Sequence, residues 1–171
     1  IVESVADVEK LEFSQDQKLF YTTQTTLSLD DVKEITEALL AKFPQIETLP
    51  SASICYATTN RQMALRDIIE DVDLVLVVGD IQSSNSNRLR EVAERRGVNS
   101  YLINSEDEIQ PAWLEGVKAI GLTAGASTPE SIVQKIITRL RALGAREVED
   151  VVFTEENVVF SLPKELIGVS S

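Results

Sequence analysis

Short continuous apolar runs alternate with amphipathic stretches over most of the chain. "LVLVV" (Leu74 to Val78) has no polar position, the pattern of a strand buried on both faces of a parallel sheet. "YLI" (Tyr101 to Ile103) and "AIGLT" (Ala119 to Thr123) read as further strands. Between them apolar residues recur at helical spacing. Ala64, Leu65, Ile68 and Ile69 share a face of a helix over Asn60 to Glu70. A second helix runs from Ser86 to Arg96 and stops at Gly97. A third, Pro129 to Leu143, turns Ile132, Val133, Ile136, Ile137 and Leu140 inward, with Thr128 as its cap. "SEDEIQPAWLEG" reads as a short helical connection, with Trp113 packed over it. Strands and helices alternating from Pro50 to Leu143 predict an α/β fold, with a mainly parallel sheet centred on Leu74 to Val78.

The flanks repeat this theme less completely. "LFYTT" (Leu19 to Thr23) reads as a strand. The helix after it carries Val32, Ile35, Leu39, Leu40 and Phe43 on one face, with Ser28 as N-cap and Pro44 as its end. Residues 1–50 thus resemble the second part of another small α/β domain. Pro50 to Ser53 reads as a linker, and residues 51–145 as a complete α/β domain. The tail, 146–171, differs: "EVEDVVF" and "ENVVFSL" suggest two strands joined by a turn, in the manner of a β-hairpin.

Composition narrows the partners. A net charge of −12 over 171 residues opposes nonspecific nucleic-acid binding and an anionic membrane surface. The longest apolar run falls far short of the roughly 20 residues of a membrane helix. A single cysteine permits no internal disulfide, so a cytoplasmic setting is expected. Without histidine, a self-contained zinc or copper site is not expected. The opening "IVESVADVEK" reads as cut from a longer chain.

The candidate chemistry lies in the turns that lead from strands into helices. "TTQTTLS" (Thr22 to Ser28), "CYATTN" (Cys55 to Asn60), "SSNSN" (Ser83 to Asn87) and "TAGAST" (Thr123 to Thr128) each deliver small hydroxyl or amide side chains just before a helix. Ligands of open α/β sheets bind beyond the carboxyl ends of the strands, where free amides and helix dipoles attract anions. Converging turns of this kind can hold a phosphate or diphosphate without lysine. Each turn is also what ordinary capping produces. "SSNSN" offers five such residues where a cap needs one, and Gly125 adds close backbone approach. Cys55 admits three readings: a core thiol, a nucleophile for which this chain offers no histidine base, or a cluster ligand whose partners lie elsewhere. The pairs Asp30/Asp31 and Asp71/Asp73 and the run Glu106 to Glu108 read as dipole partners and solubility charges. Arg88, Arg90, Arg95 and Arg96, interleaved with glutamate, read as a salt-bridged surface.

Taken together, "TTQTTLSLDD", "ICYATTNRQ", "VVGDIQSSNSNRL" and "LTAGASTPE" resemble the motifs of the 4-hydroxy-3-methylbut-2-enyl diphosphate reductases, in the same order and almost end to end. The resemblance implies three small α/β domains around a 4Fe–4S cluster held by three cysteines, with Cys55 as the third. It implies reductive dehydroxylation of an allylic diphosphate to isopentenyl and dimethylallyl diphosphate, with electrons from a ferredoxin or flavodoxin. By position, Thr25 resembles the threonine near the substrate hydroxyl and its proton relay. Ser83, Ser84 and Asn85 resemble the diphosphate-binding Ser-Ser-Asn, and Ser127 the serine closing over the same diphosphate. The chain departs from the pattern by matching only the C-terminal part. The family's first domain and the start of its second, with two cluster cysteines, the diphosphate-contacting histidines and the proton-delivering glutamate, are outside this sequence. The resemblance therefore implies a cluster and an activity of the complete enzyme, and an inactive fragment. The rival reading is a non-catalytic α/β module that binds a phosphorylated small molecule through the same turns and carries Cys55 as a passive thiol.

Overall fold

The apolar run Leu74–Val78 forms the middle strand of a three-stranded parallel sheet in the computed structural model, which describes residues 1–14, 16–48 and 55–151. In chain order the elements are α1 (Val5–Glu9), β1 (Phe20–Tyr21), α2 (Leu29–Lys42), β2 (Glu47–Thr48), α3 (Tyr56–Ile68), β3 (Leu74–Val78), α4 (Ser84–Arg95), β4 (Asn99–Ile103), β5 (Ile120–Ala124) and α5 (Glu130–Ala142). Short 3₁₀ turns follow α3 and fill the connection from β4 to β5. The large sheet runs β4–β3–β5, with Leu76 opposite Tyr101 on one side and Leu122 on the other. The two-residue strands β1 and β2 make a separate parallel pair. No described helix is long and apolar enough to cross a membrane.

The expected α/β architecture is therefore present, with β3 at its centre. Every β3 side chain is at most 2% exposed, because each face of the strand meets a different helix layer. Val75 and Val77 pack with Leu65 and Ile69 at the end of the α3 segment and with Leu89, Val92 and Ala93 of α4. Leu74, Leu76 and Val78 pack on the opposite face with Ile136 and Leu140 of α5, and with Ile103 and Ile109. Tyr101 stacks on Trp113, ring centroids 3.8 Å apart, which fixes the connection over this second layer as Trp113 was expected to do.

Several boundaries differ from the sequence expectation. α3 begins at Tyr56, four residues before Asn60, so the polar run after Cys55 is helix and not turn. α4 begins at Ser84, inside "SSNSN". Polar first turns hid both starts, since helical periodicity is read from apolar positions. Ser28 caps α2 as expected, accepting from the Asp31 amide at 3.5 Å. Thr128 does not cap α5; its hydroxyl donates instead to the Val78 carbonyl at 2.9 Å, and Pro129 takes the cap position. Asp73 is no dipole partner: its carboxylate accepts the Lys118 and Ala119 amides at 2.8 and 3.0 Å, fixing the entry to β5. α1, too short to show a period, went unread. Residues 147–151 carry no regular structure; the rest of the two predicted tail strands, and the linker from Pro50 to Ser53, lie outside the described residues.

The arginine surface is salt-bridged as expected. Arg88 pairs with Glu91, Arg90 with Glu94 and Arg95 with Asp31. The last pair is bidentate, at 2.7 and 3.0 Å, and joins α4 to the start of α2. The Arg95 hydrogen bonds hold the Asp31 carboxyl below its ordinary value. A carboxylate with a depressed folded pKa stabilises above its unfolded value, near 3.9, and loses that contribution as pH falls through the folded value. Both groups are over a third exposed, so screening limits the pair to less than about 1 kcal/mol. Arg95→Gln should therefore lower stability by that small amount at pH 7. In urea melts the difference should shrink as the pH falls below about 4, through the depressed folded value of Asp31.

Candidate functional site

The two halves of the chain are joined at the turn before α2. The Cys55 amide donates to the Thr25 carbonyl at 2.9 Å. Gln62, one and a half turns into α3 and 0% exposed, donates to the Leu27 carbonyl at 3.0 Å and accepts from the Leu29 amide at 3.2 Å. These bonds fasten the Thr22-to-Ser28 turn to the start of α3 and bring Thr25 and Cys55 together. Gln62→Ala leaves a carbonyl and an amide partly buried without partners. The expected loss is about 1–3 kcal/mol, read as a lower denaturant midpoint with an unchanged slope.

Cys55 occupies the N-cap position of α3 with a free, half-buried thiol that makes no capping bond. The chain runs from α3 into the start of β3. Ile68, at the far end of α3, reaches the start of β5: its Cδ1 would lie 3.3 Å from a Cβ on Gly121. The opposite end of α3, with Cys55, therefore points towards the carboxyl ends of the strands. Thr25 is exposed there, and Thr23, in the same turn, has a buried hydroxyl with no partner among the described residues.

The second group of candidates sits where the sheet divides its helices. β3 and β5 are neighbours, yet α4 packs on one face and α5 on the other. Chains leaving adjacent strands in opposite directions open a crevice outside their carboxyl ends, the usual ligand position in such sheets. Ser83 is the N-cap of α4, its hydroxyl accepting from the Ser86 amide at 3.3 Å. Ser84 is exposed on the first turn. Asn85 is 6% exposed, and neither its amide nitrogen nor its oxygen has a partner among the described residues. Each buried polar group left unpaired costs about 1–3 kcal/mol, so a carboxamide with neither end paired requires an explanation, and a ligand supplies one. Ser127 stands exposed in the turn between β5 and α5. That turn is tied to β3, because the Gly125 amide and the Thr128 hydroxyl both donate to the Val78 carbonyl, at 2.8 and 2.9 Å.

Gly125 makes the close approach expected of it, against Ser86. Ser86 and Thr23 lie in turns the sequence singles out, but composition gives neither a role of its own; glycines ending two neighbouring strands were the available signal for Ser86. A separate open groove of about 1840 Å³ runs along β5 between α3, α5 and residues 144–151. Thr25, Cys55, Ser83, Ser84, Asn85 and Ser127 are absent from its lining, so it is not the site described here. No group of three or more histidine, cysteine, aspartate or glutamate side chains among the described residues can hold a metal ion.

The fold and these turns define an α/β protein with small polar side chains on the turns that leave its sheet and one free thiol at a helix start. The chain belongs to the LytB protein family, whose model matches residues 1–141. It is 70% identical over 168 residues to the 4-hydroxy-3-methylbut-2-enyl diphosphate reductase of Protochlamydia amoebophila, covering 98% of this chain and 54% of that protein. The enzyme of the same name from Chlamydia pneumoniae is 59% identical, with 97% and 54% covered. The solved structure of the E-1-hydroxy-2-methyl-but-2-enyl-4-diphosphate reductase from Plasmodium falciparum superposes with a TM-score of 0.77 at 50% identity, over 80% of this chain and 43% of that one. The chain thus spans about half the length of the curated relatives it matches.

Proposed function

We propose that this chain forms part of a reductase that removes the hydroxyl of 4-hydroxy-3-methylbut-2-enyl diphosphate, giving isopentenyl and dimethylallyl diphosphate. The observation that carries this reading is Asn85, a buried carboxamide with no partner among the described residues, at the start of α4 in the crevice between β3 and β5. A diphosphate supplies acceptors for such a donor, and the α4 N-terminus adds unpaired amides and a positive dipole end. Ser83 and Ser84 stand on the same turn, and Ser127 lies exposed on the turn after β5. With a net charge of −12, the chain attracts an anion through local donors only.

Cys55 fits one thiolate ligand of a 4Fe–4S cluster: it is free, half-buried and without a capping bond at the start of a helix. The remaining cysteines belong to the rest of the complete enzyme. When bound, the cluster supplies the electrons for releasing the allylic hydroxyl as water. Thr25, held beside Cys55 through the backbone, offers its hydroxyl to the substrate hydroxyl and holds a proton there. Ser83, Ser84, Asn85 and Ser127 bind the diphosphate and so set the distance from that anchor to the reacting carbon. In this reading residues 51–145 carry the thiolate and the diphosphate turns, 1–50 complete a neighbouring domain with Thr25, and 146–171 form a tail. Electrons arrive from a ferredoxin- or flavodoxin-type donor, in the cytoplasm.

The test is iron and sulfide content together with turnover by a chemical electron donor, measured on the complete enzyme under anaerobic conditions. A loaded cluster and both product diphosphates are expected. The 171-residue chain alone, with one thiolate, should hold no stable cluster and reduce nothing. A complete protein that binds phosphorylated ligands but contains no iron would overturn the reading in favour of a binding module.

A further inference from the structure

Ser86 lies in the first turn of α4, one residue beyond the proposed diphosphate-binding group. It is 1% exposed, and its hydroxyl has no hydrogen-bond partner among the described residues. Backbone at both strand exits crowds that hydroxyl: Gly79, where the connection into α4 begins, and Gly125, in the turn after β5. A methyl group added at Gly79, where β3 ends, would overlap Ser86 Oγ and sit 3.0 Å from Ser86 Cβ. One added at Gly125, just past β5, would overlap the same oxygen and sit 3.7 Å from Ser86 Cβ and 3.3 Å from Thr128 Oγ1. The serine is thus wedged between the exits of the two strands that flank the crevice. The Val78 carbonyl, next to Gly79, already collects the Gly125 amide and the Thr128 hydroxyl. The wedge and these two bonds together fix how far apart the exits stand.

We propose that Ser86 is a positioning residue: seated against Gly79 and Gly125, it sets the separation of the α4 start, which carries Asn85, from the β5–α5 turn, which carries Ser127. This rests on the diphosphate reading of those two residues. Ser86 touches no substrate in this account. It acts through spacing, because an anion gripped from both sides needs its donors at one separation, and displacements of about 1 Å cost binding and rate steeply.

The three contacts make an unequal prediction for paired substitutions in the complete enzyme. Gly125→Ala forces the turns apart and should raise KM for the allylic diphosphate about tenfold, with kcat changed less than about threefold and iron content unchanged. Adding Ser86→Ala removes the overlapping oxygen. The methyl then stands 3.7 Å from Ser86 Cβ, an ordinary contact, and 3.3 Å from Thr128 Oγ1, a tight one, so the double variant should recover most but not all of the way to the KM of Ser86→Ala alone. Gly79→Ala should not be rescued in this way, because Ser86 Cβ itself stands 3.0 Å from the new methyl. Ser86→Ala alone, which removes a single atom and keeps the fold, should raise KM about threefold with kcat retained. This variant keeps the test decisive if either glycine variant fails to fold. An unchanged KM in Ser86→Ala, or a double variant as impaired as Gly125→Ala, would overturn the proposal. Failure of the unsubstituted enzyme to reduce the diphosphate would instead overturn the functional reading beneath it.

Discussion

Cys55→Ser in the complete enzyme is expected to abolish turnover and to deplete iron and sulfide, while leaving the melting temperature of the polypeptide close to that of cluster-free wild type. The backbone argument comes first. Cys55 is held by its amide, which donates to Thr25, and by its carbonyl, which accepts from the Thr59 amide at 2.9 Å. Serine keeps both bonds, and its hydroxyl suits an N-cap better than a thiol does. The substitution therefore does not disturb the local fold. What it removes is a soft thiolate donor, which iron–sulfur clusters take from cysteine and which a protonated hydroxyl replaces poorly. Colour, iron content and activity should fall together. Full iron content with undiminished activity would return Cys55 to the status of a passive thiol.

Asn85→Ala should separate binding from the cluster. The visible iron–sulfur absorption and iron content should match wild type, because Asn85 lies on the α4 turn and not on the turns that hold Cys55. Affinity for the allylic diphosphate should drop by about ten- to a hundredfold, the effect of losing a hydrogen bond to a charged group worth roughly 1.5–3 kcal/mol. Stability should rise slightly or stay level, since the free protein is relieved of a buried amide that has no partner among the described residues. That opposed pair of changes, weaker binding with no loss of stability, is the signature of a group placed for a ligand. Asn85→Ala enzyme that melts lower yet binds the diphosphate as before would mark Asn85 as structural.

The centre of the fold was legible because β3 is apolar at every position, and a strand can be so only when both of its faces are covered. The α2 start was legible through Ser28 and the acidic residues after it. The α3 and α4 starts were not, because Thr58, Gln62, Asn85 and Ser86 are polar residues that the fold buries. Gln62 bonds to the preceding turn and Thr58 is buried in the same helix, and a period read from apolar residues alone stops short of both. Thr128 looked like a cap from its place before Pro129, but a hydroxyl that can reach the β3 carbonyl row takes that tertiary bond instead. The donors of the candidate site were visible as turn composition. That the turns converge was expected from their common place between strands and helices; the packing of α4 and α5 on opposite faces of the sheet, which opens the crevice, was not legible. The Ser86 wedge lay deeper still: it joins residues distant in sequence through space that two glycines leave empty.

In the proposed enzyme the start of α4, the turn after β5 and the start of α3 serve one site. A crystal structure of the complete enzyme with its cluster and the allylic diphosphate bound decides this. An iron–sulfur bond from Cys55, the Thr25 hydroxyl beside the substrate hydroxyl, and diphosphate oxygens within hydrogen-bonding reach of Ser83, Asn85 and Ser127 are expected. A diphosphate bound elsewhere, with the Asn85 carboxamide still unpaired and the Cys55 sulfur turned away from iron, would contradict it.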